Sequence, residues 1–171
     1  IEPAVIEGAR FFGEKIGKLH DDPRVHFIHA DGRNYLLASR ERYDVIISEP
    51  SNPWIAGIGN LFTREYYQEA LSKLTEGGVF GQWMQTYGMA PEDLRMVYRT
   101  FAEVFPDVSL WAVNDSDMLL IGTVRPQRLR LAELRAAIAA RPVARQDLRE
   151  LGFVDAYSLL AMYLMPKPGL L

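Results

Sequence analysis

The chain has 171 residues, 49% hydrophobic and 24% charged, with 22 acidic and 19 basic side chains and a net charge of −3. That is enough chain for one domain with a sizeable core, and the balance disfavours disorder and coiled coil and gives no electrostatic basis for nucleic-acid binding. There is no cysteine, which excludes disulfides and thiolate metal sites and suits a reducing compartment. The sequence has no run of about 18 apolar residues able to span a membrane, and its opening, Ile1 to Phe12, lacks the basic-then-apolar order of a signal peptide. A chain that starts without Met, at what reads as a strand end, is expected to be a piece of something longer.

In chain order, Pro3 to Leu19 places Val5, Ile6, Ala9, Phe12, Ile16 and Leu19 three and four apart, which predicts an amphipathic helix. Asp21, Asp22 and Pro23 break it. Arg24 to His29 then reads as a strand, Ala30 to Gly32 as its end, and Arg33 to Ser39 as a short helix. His20, His26 and His29 match no metal-ligand spacing and are taken as structural. Val45, Ile46 and Ile47 form a β-branched run bounded by turn residues, the pattern of a strand buried on both faces.

Ser48 and Glu49 follow at the carboxyl end of that strand, where open α/β sheets bind ligands. Pro50 and Pro53 cannot continue a ladder and hold Glu49, Ser51 and Asn52 on a stiff, non-helical segment. Thr63 is placed to cap a helix with Tyr66, Ala70, Leu71 and Leu74 inward, and Gly77 and Gly78 are expected to stop it. Val79 to Met84 is a strand and Ala90 to Phe105 a helix, with Leu94, Val97, Phe101 and Val104 on one face. Asp107 to Val113 and Met118 to Val124 are strands joined by Asn114 to Asp117, a turn short enough to force an antiparallel hairpin. Helices are expected at Leu131 to Ala140, Arg145 to Leu151 and Val154 to Met165.

Helix and strand alternating in this way predict an α/β, Rossmann-like, doubly wound sheet, mostly parallel with an antiparallel terminal hairpin and lacking its first strand or strands. Residues 1–125 are expected to form a partial Rossmann-like domain and residues 126–171 a helical extension packed on it. Trp54, Trp83 and Trp111 are either ring platforms for a ligand or rim packing. Gln82 in this strand suits a buried amide that satisfies backbone, and Tyr87 and Met89 are placed to line a pocket mouth. The arginines between Arg125 and Arg149 alternate with leucine and mark a solvated helix face.

Several segments together resemble the polyamine aminopropyltransferases, or spermidine synthases, which share the fold of class I S-adenosylmethionine-dependent methyltransferases. They are Ile1-Glu2-Pro3, DPRVHFIHADGRNYL from Asp22, YDVIISEPSNP from Tyr43, LFTREYY from Leu61, LTEGGVFGQW from Leu74 and VFPDV from Val104. The SEPSNPW loop and the helical tail are most similar to bacterial proteins in which such a domain is fused to a membrane segment. The resemblance implies that Glu2, with Pro3 beside it, holds the ribose hydroxyls of a sulfonium nucleoside, and that Asp31 and Gly32 contact its adenine, with Ser48 nearby. It implies chemistry at Glu49, Ser51 and Asn52, and an amine bordered by Gln82, Trp54 and Tyr87.

The implied co-substrate is decarboxylated S-adenosylmethionine, or S-adenosylmethionine itself, with no metal. The implied partners are that sulfonium nucleoside and an amine such as putrescine, with no nucleic acid and no membrane contact by this segment. The implied assembly is a homo-oligomer, located in the cytoplasm or in the soluble part of a membrane-anchored parent. The soluble enzymes of the family carry Asp-x-x-Asp-Pro where this sequence has Glu49, Asn52 and Pro53, so one carboxylate is replaced by an amide that cannot act as a base. The alternatives are a methyltransferase, which Asn52-Pro53-Trp54 also suits, and a non-catalytic nucleoside-sensing or assembly domain.

Overall fold

The computed structural model describes residues 3–12 and 18–171. The chain divides into two compact units, Ile1–Arg40 and Glu41–Leu171.

In the first unit, α1 (Pro3–Ala9) is followed by turns in which the amides of Arg10, Phe11 and Phe12 each donate to the carbonyl three residues back. Ile16 of the predicted longer helix lies outside the described residues, and Lys18–Asp21 forms a 3₁₀ turn. Arg24 donates to both carboxylate oxygens of Asp22, and this hydrogen bonding holds the Asp22 carboxyl at about 2. The predicted strand Arg24 to His29 is not formed. Its β-branched and aromatic residues suit a strand, but no neighbouring strand among the described residues supplies the ladder that would define one. α2 (Gly32–Ala38) starts where expected because Asp31 caps it, its side chain accepting from Asn34 N at 2.8 Å.

The second unit is built on a five-stranded sheet in the order β1-β2-β4-β3-β5. The strands are β1 (Tyr43–Ser48), β2 (Leu74–Gln85), β3 (Asp107–Ala112), β4 (Asp117–Thr123) and β5 (Tyr163–Pro166). β1 pairs parallel to β2, and the remaining three pairings are antiparallel. The β3–β4 hairpin follows from its turn, in which Asn114 Oδ1 accepts from the amides of Ser116 and Asp117 at 2.8 and 2.9 Å.

α3 (Arg64–Ser72) is capped by Thr63, whose Oγ1 accepts from Tyr66 N at 3.2 Å, and α4 (Pro91–Val104) begins with proline in its first turn. Both helices pack on one face of the sheet. Tyr67 of α3, Phe80 of β2, and Phe101 and Phe105 of α4 and its end are fully buried and in mutual ring contact. Gly122 of β4 makes this packing possible, because a Cβ there would lie 2.4 Å from Phe105 Cγ.

Three further expectations are corrected in this unit. β1 was read as buried on both faces, but it is an edge strand: Val45 is 58% and Ile47 71% exposed, while Ser48 on the α3–α4 side is buried. The two helices cover one face only, so the apolar run alternates between core and solvent. Gly77 and Gly78 do not end α3. It ends at Ser72 and the chain enters β2 at Leu74, whose pairing with Tyr43 begins the parallel ladder.

The predicted helix Val154 to Met165 forms only as the short helix Ala156–Leu160, capped reciprocally by Asp155 and Ser158. It then becomes β5, because the free edge of β3 takes up Tyr163–Pro166 and Trp111 packs edge-on against Tyr163 at 5.3 Å. The helices Leu131–Ala139 and Pro142–Glu150 lie where expected within a residue or three. No helix of the described residues is long and apolar enough to cross a membrane.

The Tyr67 hydroxyl is buried in this aromatic cluster with no hydrogen-bond partner among the described residues, and burial pushes its pKa up. An unpaired buried hydroxyl costs about 1–3 kcal/mol. Tyr67→Phe is therefore expected to raise the denaturant midpoint, by on the order of 1 kcal/mol of stability. A lower midpoint would show that the hydroxyl is satisfied in solution.

Candidate active site

The second unit carries most of the residues singled out in the sequence. β1 runs to Ser48, and Glu49 follows at its carboxyl end, exposed, with Pro50 buried behind it. Ser51 is exposed and Asn52 half-buried, its carbonyl accepting from Ile55 N at 3.0 Å, so the loop turns immediately after the candidate residues. Because Pro50 and Pro53 fix φ and remove donors, Glu49 and Asn52 are presented by backbone rather than by a flexible arm.

Gln82 is the Cα partner of Ser48 across the parallel ladder and is fully buried. Its Nε2 donates to Ser48 O at 3.4 Å and to Trp83 O at 3.0 Å. Both partners are carbonyls, which fixes the amide orientation. The other side-chain atom, Oε1, is buried and accepts from no donor among the described residues. A buried amide oxygen without a partner costs about 1–3 kcal/mol. Gln82 thus sits directly across the ladder from Ser48, the residue before Glu49.

Trp54 and Tyr87 meet edge to face, with centroids 6.0 Å apart and planes at 77°. Both are about half exposed. Met89, placed by the sequence at a pocket mouth, lines a cleft with Trp54. Asp93 and Met96 of α4 line the same cleft, and sequence reading missed them because their helical spacing marked only the opposite, buried face of α4. Trp83 is half-buried, and Trp111 is held by donation of its Nε1 to Ser109 Oγ at 2.8 Å, so both serve the sheet.

In the first unit, Asp31 Oδ1 is engaged by the helix cap while Oδ2 has no partner among the described residues. Gly32 starts α2 with open space around it, and Pro3 starts α1 and is exposed. Glu2 lies outside the described residues.

A family model described as spermine/spermidine synthase domain matches residues 1–114, two thirds of the chain and the whole of the segment carrying these residues. The chain belongs to the spermine/spermidine synthase family. Among curated relatives, the polyamine aminopropyltransferase of Thermotoga maritima is 32% identical over 106 residues, 62% of this chain and 36% of the relative. That of Bacillus subtilis is 32% identical over 114 residues, 67% of this chain and 41% of the relative. The chain thus spans about two fifths or less of the length of these relatives.

Among solved structures, a spermidine synthase in complex with the transition state analogue AdoDATO superposes with a TM-score of 0.66 at 26% identity, over 79% of this chain and 49% of the other. The spermidine synthase from Thermotoga maritima superposes with a TM-score of 0.63 at 25% identity, over 79% of this chain and 48% of the other. The spermidine synthase character expected from the motifs is borne out.

Proposed function

We propose that this spermine/spermidine synthase domain serves transfer of an aminopropyl group from decarboxylated S-adenosylmethionine to an amine such as putrescine. What supports the reading is that Glu49 follows Ser48 at the carboxyl end of β1, and Gln82 of β2 is the ladder partner of Ser48. Glu49 offers an anionic acceptor on a stiff loop, and the buried Gln82 Oε1 offers a second acceptor without a donor of its own. An amine nitrogen carries the donors that this set lacks.

In this reading Glu49 orients the acceptor ammonium and takes one of its protons, so that the free nitrogen lone pair faces the methylene carbon beside the sulfonium. The new N–C bond forms as the C–S bond breaks, and the bonding pair stays on sulfur, leaving methylthioadenosine as a neutral thioether. The leaving group is already activated, so the protein contributes orientation and exclusion of water. Ser51 and Asn52 add neutral hydrogen bonds beside Glu49, and Trp54 and Tyr87 wall the amine side. Glu2 and Pro3, Asp31 with its free Oδ2, Gly32, and Ser48 are assigned to the nucleoside. The chemistry asks for no metal. The same reading takes the protein as a cytoplasmic homo-oligomer, free or attached to a membrane-anchored parent.

The specific feature favouring a second reading is Asn52-Pro53-Trp54, which suits methyl transfer to an amino group. Calorimetric titration with decarboxylated S-adenosylmethionine, S-adenosylmethionine and methylthioadenosine separates the two. Tighter binding of the decarboxylated compound is expected. Preference for S-adenosylmethionine would replace aminopropyl with methyl transfer, and no binding of any of the three would leave an assembly role.

A further inference from the structure

Between the loop that follows Asn52 and α4 lies a cleft of about 440 Å³, inside the range of roughly 300–1,000 Å³ that holds small molecules. Glu49 and Gln82 do not line it. Its walls are Trp54, Phe62, Met89, Met96 and Val97, and the one charged side chain in them is Asp93.

The indole is held in place by the backbone opposite. Gly88 has φ +71, and two Trp54 ring atoms lie 3.2 Å from where a Cβ on Gly88 would be, so only glycine allows both the turn and the close approach. Tyr87 closes on the same ring edge to face.

The polar inventory of the walls selects the ligand. Thr63 Oγ1 donates to Asn60 O at 3.3 Å and accepts from Tyr66 N, and Thr100 Oγ1 donates to Met96 O at 2.8 Å, so both hydroxyl protons are already used. No basic side chain among the described residues pairs with Asp93, whereas its neighbour Glu92 is engaged by Arg95. The cleft therefore presents the Asp93 carboxylate, the Trp54 indole with its N–H, and apolar surface, with both threonine hydroxyl protons spent on backbone. The amino end of α4 carries about half a positive charge, which the full charge of Asp93 in its first turn outweighs.

We propose that this cleft is a second ligand site, separate from the Glu49 loop end, that takes a singly charged organic ammonium with an apolar body. The ammonium donates to Asp93 and the body lies against Trp54, Met89 and Met96, where an indole also attracts a cation. A diammonium fits less well, because its second charge would meet Phe62 and Val97 with no carboxylate to receive it. This selectivity is opposite to that of a site built from two acids, although the cleft shares Trp54 with the amine side proposed above.

The test titrates the 171-residue chain with hexylammonium, the hexane diammonium, hexanol and hexanoate, following the Trp54 indole N–H and the Gly88 amide by NMR. Hexylammonium is expected to shift both signals and to bind at least about tenfold more tightly than the other three. Asp93→Asn, which keeps the side-chain shape, is expected to erase its advantage over hexanol, and Glu49→Gln to leave it intact. Equal binding of hexanol or the diammonium, an advantage surviving Asp93→Asn, loss of it in Glu49→Gln, or no shift with any ligand would each overturn the proposal. The nucleoside titration above reads the transferase hypothesis separately, so either can fail alone.

Discussion

Phe101→Ala is expected to cost about 3–5 kcal/mol of stability. Phe101 is fully buried, stacks on Phe105 with centroids 4.6 Å apart, and meets Tyr67 and Phe80 at 5.0 and 5.9 Å. It is the side chain through which α4 reaches both the sheet and α3, so its removal leaves a cavity bordered by rings from three elements. Those rings cannot collapse into the space, because Phe105 already sits against Gly122 and Phe80 is pinned within the β2 ladder. Domains of this size are held by about 5–15 kcal/mol in all, so chemical denaturation should show the midpoint falling sharply, or the native baseline disappearing. Phe101→Leu, which keeps most of the volume, is expected to lose less than half as much. A cost below about 1 kcal/mol for the alanine variant would mean that the aromatic cluster is not the centre of the fold.

Glu49→Gln is expected to lower kcat/KM for amine transfer by about 10²–10⁴-fold, the usual worth of a positioned proton acceptor. The glutamine keeps the shape and the hydrogen-bonding reach but neither the charge nor the ability to take a proton. Nucleoside binding should be little changed, because Glu49 is assigned to the amine. The residual rate should climb with pH, since free amine then comes from solution. The reciprocal change, Asn52→Asp, adds a charge-assisted contact worth about 1.5–3 kcal/mol and is expected to lower KM for a diamine about tenfold or more. Steady-state kinetics in an active protein containing this domain check both, and an unchanged kcat/KM in Glu49→Gln would remove Glu49 from the mechanism.

The candidate site was legible in part. Glu49, Ser51 and Asn52 could be placed on a rigid loop at a strand end because proline acts on its own neighbours, and that loop follows β1 as expected. The match of a spermine/spermidine synthase family model to residues 1–114 agrees with the motifs that suggested it. What the loop faces was not legible. Gln82 read equally well as a satisfied core amide, and only the ladder register, which pairs it with Ser48, shows one end satisfied and the other without a donor. Asp93 carried no signal at all, being a commonplace acid in the first turn of a helix until Trp54 and Met89 were brought across from it.

The sequence by itself determined what is decided within a few residues. Thr63 caps α3, Asp31 caps α2, Asn114 to Asp117 closes the β3–β4 hairpin, and the spacing of Leu94, Val97 and Phe101 sets the inner face of α4. These rest on hydrogen bonds and periodicities that a short segment satisfies alone.

Tertiary structure decided whether a β-prone segment becomes a strand and which of its faces is covered, because a strand's hydrogen bonds lie in another part of the chain. Arg24 to His29, well suited by composition, has no pairing strand among the described residues and is not a strand. The end of the segment read as helix, Tyr163 to Met165, finds the edge of β3 and becomes part of a strand, and Val45 and Ile47, read as buried, stand exposed because helices cover only the other side of β1.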